Sequence, residues 1–216
     1  RDEALQAMER VFKNHSEEIA ALVMEPLMQG AAGMIDHPRG FLARVRDLTR
    51  EYNILLILDE VATGFGRTGR MFASEHEGVA PDLMAAGKGL TGGYLPLAVT
   101  LTTEKIYQGF LGEYRQFKTF FHGHTYTANP LACRAALANL ELFEKKKTLE
   151  KLRPKIDSLR RGLESFWGLS HVGDIRQVGL MAGIELVQDR ATKTLYPLER
   201  KMGIQVILAA RKRGVL

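Results

Sequence analysis

The chain has 216 residues, of which 45% are hydrophobic, a composition that is typical of a globular protein and excludes a disordered one. Its formal net charge is +5, but the basic residues cluster at helical spacing without interleaved aromatic residues, which argues against a nucleic-acid partner. A single cysteine and a charged amphipathic start, RDEALQAMERVF, predict a cytoplasmic protein without disulfides, signal peptide or membrane span.

Helical and extended patterns alternate along the first half of the chain. They predict helices over 2–15 and 40–51 and strands over 19–25, 54–59, 82–86 and 97–102. Residues 28–51 are long enough for the crossover that parallel strands require. We therefore expect an open α/β sheet whose second strand, NILLILDE, is buried on both faces.

The second half predicts a smaller α+β unit. Asn129 and Pro130 open a long amphipathic helix that continues to about residue 146, because a proline in the first helical turn sacrifices no hydrogen bond. A second helix over 149–167, an apolar strand over 179–187 and a last helix over 199–213 are expected to follow.

Three charged residues, Glu25, Asp59 and Lys88, follow predicted strands, and ligands of open α/β sheets bind beyond the carboxyl ends of strands. A lysine can form a Schiff base with an aldehyde cofactor, while a carboxylate can keep a pyridine nitrogen protonated. Asp59 and Lys88 together therefore suit pyridoxal phosphate. Taken singly, Asp59 also fits a helix cap or ion pair, and Lys88 a solvated loop.

The apolar run before Asp59 also fits the acidic, metal-binding strand of a nucleotide hydrolase. That class requires the pattern G-x-x-x-x-G-K-[ST]. When Gly87 and Lys88 are aligned with it, Asp82 occupies the position of the first glycine and Gly89 that of the hydroxyl residue. Both positions fail, so the hydrolase is the more distant alternative.

Several other polar residues carry weaker signals. His122 and His124 lie two residues apart without a local acidic or cysteine ligand, so we expect no metal site. Glu25 fits a structural contact with the adjacent loop about as well as a functional role. Arg67 and Arg70 are expected to be exposed or to stabilise the fold rather than to bind substrate.

Residues 59–100, DEVATGFGRTGRMFASEHEGVAPDLMAAGKGLTGGYLPLAVT, resemble the signature of class III pyridoxal-phosphate aminotransferases. Ala62, Tyr94 and the later FHGHTYTANPLAC most resemble the branch that converts 7-keto-8-aminopelargonate into 7,8-diaminopelargonate in biotin biosynthesis. Many ornithine and ω-amino-acid aminotransferases carry glutamine in place of Ala62. Another class III ω-aminotransferase or an aminomutase is the nearest alternative. A non-catalytic dimeric homologue is disfavoured by the intact pair Asp59 and Lys88.

The resemblance implies specific roles for three residues of the cofactor site. Lys88 is implied to bind the cofactor covalently and to act as the catalytic proton shuttle. Asp59 is implied to pair with the protonated pyridine nitrogen, and Val61 to pack against the ring. A released amine near a carboxylate and a phosphate suits proton transfer.

The resemblance also implies a homodimer whose active sites are shared across the interface. Thr125 and the backbone of His124 would reach the cofactor phosphate of the other subunit, because a hydroxyl and an amide are suitable phosphate donors. Gly123 would lie near the substrates. These would be a small-molecule amino donor, S-adenosylmethionine or lysine, and a keto acceptor.

The implied fold is the aspartate-aminotransferase-like fold type I, a three-layer α/β sandwich with a mostly parallel sheet. Residues 1–130 would form part of the large cofactor-binding domain, 131–150 a connecting helix, and 151–216 part of a small C-terminal α+β domain. Members of the family are longer than this chain. We therefore expect the phosphate loop, the ring-stacking aromatic residue and the carboxylate-binding arginine outside this segment, and expect the segment alone to be inactive.

Overall fold

A computed structural model describes residues 2–215. The helices are α1 (Asp2–His15), α2 (Phe41–Glu51), α3 (Glu104–Gly109), α4 (Pro130–Lys145), α5 (Thr148–Glu164) and α6 (Met202–Arg211). The strands are β1 (Ala21–Met24), β2 (Met28–Gln29), β3 (Ile35–Asp36), β4 (Leu55–Asp59), β5 (Leu83–Ala86), β6 (Val99–Thr102), β7 (Val172–Val178), β8 (Met181–Asp189) and β9 (Thr194–Leu195). Every predicted helix and strand is confirmed, with ends shifted by a few residues. The sequence patterns did not predict β2, β3, α3, β7 or β9.

The larger sheet has the strand order β1-β4-β5-β6. The first three strands run parallel, with Val23 aligned to Ile57 and Ile57 aligned to Leu83, and β6 pairs antiparallel with β5. The prediction of a mostly parallel sheet is therefore confirmed. Parallel pairing brings the carboxyl ends of β1, β4 and β5 to one edge, which is where ligands of such sheets bind.

The core lies between this sheet and the helices α1 and α2. Leu56 and Leu58 of β4 are fully buried and pack with Leu42 and Val45 of α2. The prediction that β4 is buried on both faces is wrong, because Leu55, Ile57 and Asp59 alternate with these residues and are only partly buried. The described helices α1 and α2 cover one face of the sheet, and Val23 on the opposite face of β1 is 62% exposed.

Two carboxylates from distant loops fix α2 to the sheet. Glu77 accepts hydrogen bonds from the backbone N–H groups of Gly40 (2.7 Å) and Ala43 (2.9 Å) at the start of α2, where the helix dipole favours an anion. Asp82 forms a two-pronged ion pair with Arg46 of α2 at 2.5 and 3.1 Å. It also accepts the backbone N–H of Leu56 at 2.8 Å, so it joins the helix to β4.

The smaller sheet has the antiparallel order β7-β8-β9 and contacts the larger unit through β7 and through the turn between β7 and β8. Arg176 of β7 donates to the carbonyls of Met34 (2.9 Å) and Gly33 (3.2 Å) in the β2–β3 connection. Glu185 and Asp174 hold its guanidinium, and their hydrogen bonds raise the pKa of Arg176. Among residues 2–215, no helix is long and apolar enough to cross a membrane.

Candidate functional site

Asp59 and Glu60, the two acidic residues at the end of β4, lie in different environments. Asp59 is partly buried, and its Oδ1 accepts the backbone N–H of Val61 at 3.0 Å. Within residues 2–215, its second oxygen, Oδ2, accepts no hydrogen bond. Glu60, by contrast, is fully buried. Since successive residues of a strand point to opposite faces, only Asp59 is available to a ligand on its side of the sheet.

Glu60 fastens the loop between β4 and β5. Its Oε2 accepts the hydroxyl of Thr63 at 2.5 Å and the backbone N–H of Ala73 at 3.0 Å, and its Oε1 accepts the N–H of Ser74 at 2.9 Å. A buried carboxylate needs such donors to offset the loss of its hydration. Glu60 is therefore a structural residue that shapes the loop carrying Phe65 and Arg67.

Lys88 follows β5 on a turn of strained backbone. Gly87 is extended, and Lys88 then begins a 3₁₀ turn, Lys88–Thr91, with a φ of 43°. A left-handed conformation costs a residue with a Cβ about 1–2 kcal/mol. The side chain of Lys88 is exposed to the open space beside the turn, so the strain accompanies an accessible amine.

The turn that carries Lys88 is held by two contacts with distant parts of the chain. A Cβ on Gly89 would lie 2.7 Å from the Cβ of Phe65, so the glycine allows Phe65 to pack directly on the backbone. In addition, the side-chain amide of Asn139, on α4, donates to the carbonyls of Gly89 (2.8 Å) and Leu90 (3.1 Å). The lysine therefore projects from a braced segment of backbone.

Lys88 lines an open cavity of about 1170 Å³. This volume is ample for a small-molecule cofactor together with a substrate. Besides apolar residues and backbone of the glycine-rich segment, the lining includes polar side chains from three parts of the sequence: Arg67, Tyr94, His124, Tyr126, Asn129 and Asn139.

Of the predicted site residues, Lys88 and His124 line this cavity together. Asp59 and Val61 do not line it, but they lie beside residues 85–87, which immediately precede Lys88. Asp59 is aligned with Ala85 of β5, and the Cγ1 of Val61 is 3.7 Å from the position of a Cβ on Gly87.

Gly123 and Thr125 lie on the exposed segment that precedes α4 and are not among the residues lining the cavity. The segment is ordered by its own side chains. The backbone N–H of His124 donates to the hydroxyl of Thr127 at 2.8 Å, and its Nδ1 accepts the N–H of Tyr126 at 3.1 Å. In this chain the His124 amide is thus already engaged.

The structure also shows the contacts of the residues that carried weaker signals in the sequence. Glu25 accepts the backbone N–H of Gly30 at 3.0 Å, which confirms a contact with the adjacent loop. Arg70 donates to the carbonyl of Glu75 at 3.3 Å. Arg67 is exposed, as predicted, but it also lines the Lys88 cavity. Its place in a loop gave no periodic signal that distinguished it from Arg70.

A second cavity, of about 740 Å³, lies between the β2–β3 connection, the smaller sheet and the start of α6. Its one arginine, Arg176, is already satisfied by two carboxylates and two carbonyls. In the part of the chain that the structure describes, no group of three or more His, Cys, Asp or Glu side chains is arranged to hold a metal ion.

Comparisons with known proteins cover the whole sequence. The family model for Aminotransferase class-III matches residues 1–216. A relative from Anoxybacillus flavithermus, named adenosylmethionine-8-amino-7-oxononanoate aminotransferase, is 56% identical over 216 residues, which are 100% of this chain and 48% of the relative. The chain therefore spans about half the length of the curated relatives it matches.

Solved structures agree with this match. The crystal structure of the enzyme of the same name from Methanocaldococcus jannaschii has a TM-score of 0.95 and 47% identity, covering 98% of this chain and 49% of that one. An (S)-enantioselective ω-transaminase from Thermomicrobium roseum has a TM-score of 0.91 and 38% identity, covering 98% of this chain and 47% of that one.

The structural matches confirm the predicted α/β fold, that of the type I pyridoxal-phosphate enzymes. Class III aminotransferases depend on pyridoxal phosphate and act on small-molecule donors and acceptors. With the family model matched along all 216 residues, this chain belongs to the class III aminotransferase family.

Proposed function

We propose that this chain supplies the lysine-bearing part of a pyridoxal-phosphate aminotransferase that transfers an amino group to 8-amino-7-oxononanoate, also called 7-keto-8-aminopelargonate. The product is 7,8-diaminopelargonate, a precursor in biotin biosynthesis. The observation that carries the proposal is the placement of Asp59 at the end of β4 and of Lys88 just after the neighbouring parallel strand β5, with Lys88 lining an open cavity of about 1170 Å³. The name of the Anoxybacillus relative supports the choice of acceptor.

The residues present fit pyridoxal phosphate. Lys88 offers an accessible amine for the aldehyde, and Asp59 offers an oxygen that is not occupied by the chain itself. When bound, the cofactor supplies an electron-withdrawing ring that stabilises the negative charge left on the substrate carbon after a proton is removed. Asp59 would hold the ring nitrogen, because a nearby carboxylate favours the protonated form of a pyridine.

Lys88 has two tasks in this proposal. Its Nζ would hold the cofactor covalently, and as a free amine it would accept the proton that leaves the donor carbon and, as the ammonium, return that proton to the cofactor. The braced turn keeps Nζ near its starting position through both tasks, since proton transfer requires hydrogen-bond distances. Val61, next to Gly87, would supply an apolar wall to the cofactor.

Arg67 is our candidate ligand for a substrate carboxylate. Arg67 lines the same cavity as Lys88, and arginine binds carboxylates through two parallel hydrogen bonds. The backbone carbonyl of Arg67 accepts the N–H of Leu180 at 2.8 Å, so the turn between β7 and β8 helps to fix this residue. This role goes beyond the sequence-based expectation that Arg67 is only exposed or structural, and it adds Arg67 to the carboxylate-binding arginine that is expected outside this segment.

We also propose a homodimer with active sites shared across the interface. The segment before α4 exposes an apolar and aromatic surface that a single chain leaves in water, and such surfaces mark interfaces. Its strongly exposed members are Tyr114 (92%), Phe117 (75%), Phe121 (87%) and Tyr126 (74%), and Tyr94 (88%), in the glycine-rich loop after Lys88, is exposed in the same way. Thr125, in the same segment, is the hydroxyl offered to the cofactor phosphate of the partner. Because His124 donates its N–H to Thr127, Thr125 is the principal donor.

The proposed function is tested with the protein expressed from its complete gene. Purified protein is supplied with pyridoxal phosphate, 8-amino-7-oxononanoate and a donor panel of S-adenosylmethionine, lysine and simple ω-amines. Formation of diaminopelargonate from either of the first two donors is the expected result, and it identifies the donor. Transfer only from ω-amines to other keto acceptors would assign the chain to the ω-aminotransferases instead.

We propose a cytoplasmic location, which a single, partly buried cysteine supports.

A further inference from the structure

Asn139 makes an unusual contact with the backbone that follows Lys88. Although it lies 50 residues further along the chain, its Nδ2 donates to the carbonyl of Gly89 at 2.8 Å and to that of Leu90 at 3.1 Å. These are the first two carbonyls after Lys88. Both hydrogens of the amide are therefore used to hold the peptide groups of the turn that carries the lysine.

The surroundings of the amide are shaped for this approach. Gly92 has a φ of 62°, a conformation that glycine adopts without strain. Its missing Cβ also leaves room for the Asn139 amide, since a Cβ there would lie 3.1 Å from Asn139 Oδ1. Phe65 also packs against the turn, at Gly89. The turn is thus fixed between a loop that follows β4 and a helix, α4, from a different part of the sequence.

We propose that Asn139 is a positioning residue for Lys88. Lys88 has left-handed backbone geometry with a φ of 43°, and the direction in which its side chain leaves the turn depends on that geometry. By fixing the next two carbonyls, Asn139 holds the lysine backbone in this conformation and so sets the position of Nζ in the cavity. This role rests on the proposed function, in which Nζ binds the cofactor and moves a proton.

A purely structural role makes a different prediction. If Asn139 only attached α4 to the larger unit, its loss would lower stability without changing the turn or the behaviour of Lys88. A matched control exists in the smaller sheet. Gln177 of β7 also bridges two backbone carbonyls through its amide, those of Gly179 at 2.8 Å and Ile156 at 3.3 Å, and it does not line the Lys88 cavity.

The test compares Asn139→Leu and Asn139→Asp with Gln177→Met in the protein expressed from its complete gene. Leucine keeps the approximate volume without a donor, and aspartate keeps the shape but turns oxygens toward the two carbonyls. Aspartate also provides a second variant if leucine prevents folding, which circular dichroism would reveal. The unfolding midpoint of each variant in urea reports the loss of stability itself.

Two readouts examine the turn and the lysine. Without cofactor, hydrogen exchange of the 87–94 peptide reports the amides of Leu90 and Gly92, which donate within the turn to Gly87 and Gly89. We expect exchange about tenfold faster in both Asn139 variants and unchanged in Gln177→Met. With cofactor, we expect the pH midpoint of the visible absorbance band to shift and kcat to fall about tenfold, with KM nearly constant.

The inference is overturned if the Asn139 variants are destabilised like Gln177→Met but retain the unaltered protein's exchange rates and absorbance titration. A protein that takes no cofactor at Lys88 in its unaltered form would refute the proposed function and this role with it. A protein that loads cofactor normally and is insensitive to Asn139 would refute the positioning role alone.

Discussion

Replacement of Glu60 by glutamine, compared with replacement of Asp59 by asparagine, separates the two acids that end β4. Glu60 is fully buried and accepts three hydrogen bonds from Thr63, Ala73 and Ser74. Asp59 accepts one, from Val61. We expect Glu60→Gln to lower the free energy of unfolding and Asp59→Asn to leave it almost unchanged.

The size of the effect follows from the bonds of Glu60. A glutamine amide has one acceptor oxygen, so at least one of the three donors loses its partner, which costs about 1–3 kcal/mol when the donor is buried. The other two bonds change from a charged to a neutral acceptor and lose about 1 kcal/mol each. Easier burial of the neutral amide offsets part of this loss. We therefore expect a net loss of about 3 kcal/mol for Glu60→Gln.

For Asp59→Asn, the side-chain oxygen can still accept the N–H of Val61, so the expected change is below about 1 kcal/mol. Its effect should appear instead in the reaction, because a neutral amide no longer favours the protonated ring nitrogen. Urea unfolding without cofactor measures the first quantity, and the rate of the half-reaction with amino donor measures the second. Equal destabilisation by the two substitutions, or a stable Glu60→Gln protein, would refute the division between them.

Three further outcomes are expected. Arg67→Gln should raise KM for the carboxylate-bearing acceptor at least tenfold while the cofactor absorbance persists; an unchanged KM would exclude Arg67 from carboxylate binding. The hydrogen bond from Arg46 lowers the pKa of Asp82 below its usual value of 3.8. The ionised Asp82 carboxylate therefore contributes its full stabilisation above pH 3.8, and this stabilisation is lost as the pH falls through the lowered pKa. In urea unfolding measured from pH 5 to 2.5, Asp82→Asn should make the free energy of unfolding fall less steeply as the pH decreases. An unchanged pH dependence would contradict the assignment. Phe121→Asp should shift the protein toward monomer in sedimentation experiments if the aromatic segment is an interface, whereas an intact dimer would place the interface elsewhere.

The sequence alone predicted the placement of Lys88 and Asp59 because parallel strands bring their carboxyl ends together. The apolar runs before these residues are long enough to be recognised without knowledge of the fold. The paired register of Asp59 and Ala85 then follows from adjacency of β4 and β5. The wider residue pattern specified the family, which the comparisons confirm.

Features that depend on distant contacts could not be predicted in this way. Glu60 and Asp59 are equivalent acids in the sequence, and only the folding of the following loop onto Glu60 assigns it a structural role. Glu77 accepts a hydrogen bond from Gly40, the N-cap of α2, which lies 37 residues earlier in the chain. Asn139 appears in the sequence as an ordinary polar position on an amphipathic helix. Its contact with the lysine turn emerges only when α4 packs against it.

Short elements were missed for a related reason. The two-residue strands β2, β3 and β9 are too brief to establish an alternating pattern. Strand β7, VGDIRQV, alternates weakly because Arg176 points inward to an ion pair rather than to water. In both cases tertiary pairing, rather than local preference, determines the strand.

The central claim, that Lys88 is the residue that binds the cofactor, is tested most directly by borohydride reduction. The protein expressed from its complete gene is loaded with pyridoxal phosphate, reduced, digested and analysed by mass spectrometry. We predict a phosphopyridoxyl mass shift on the peptide that contains Lys88, and its absence from a Lys88→Ala variant prepared in the same way. A shift on another lysine, or none despite saturating cofactor, would contradict the account.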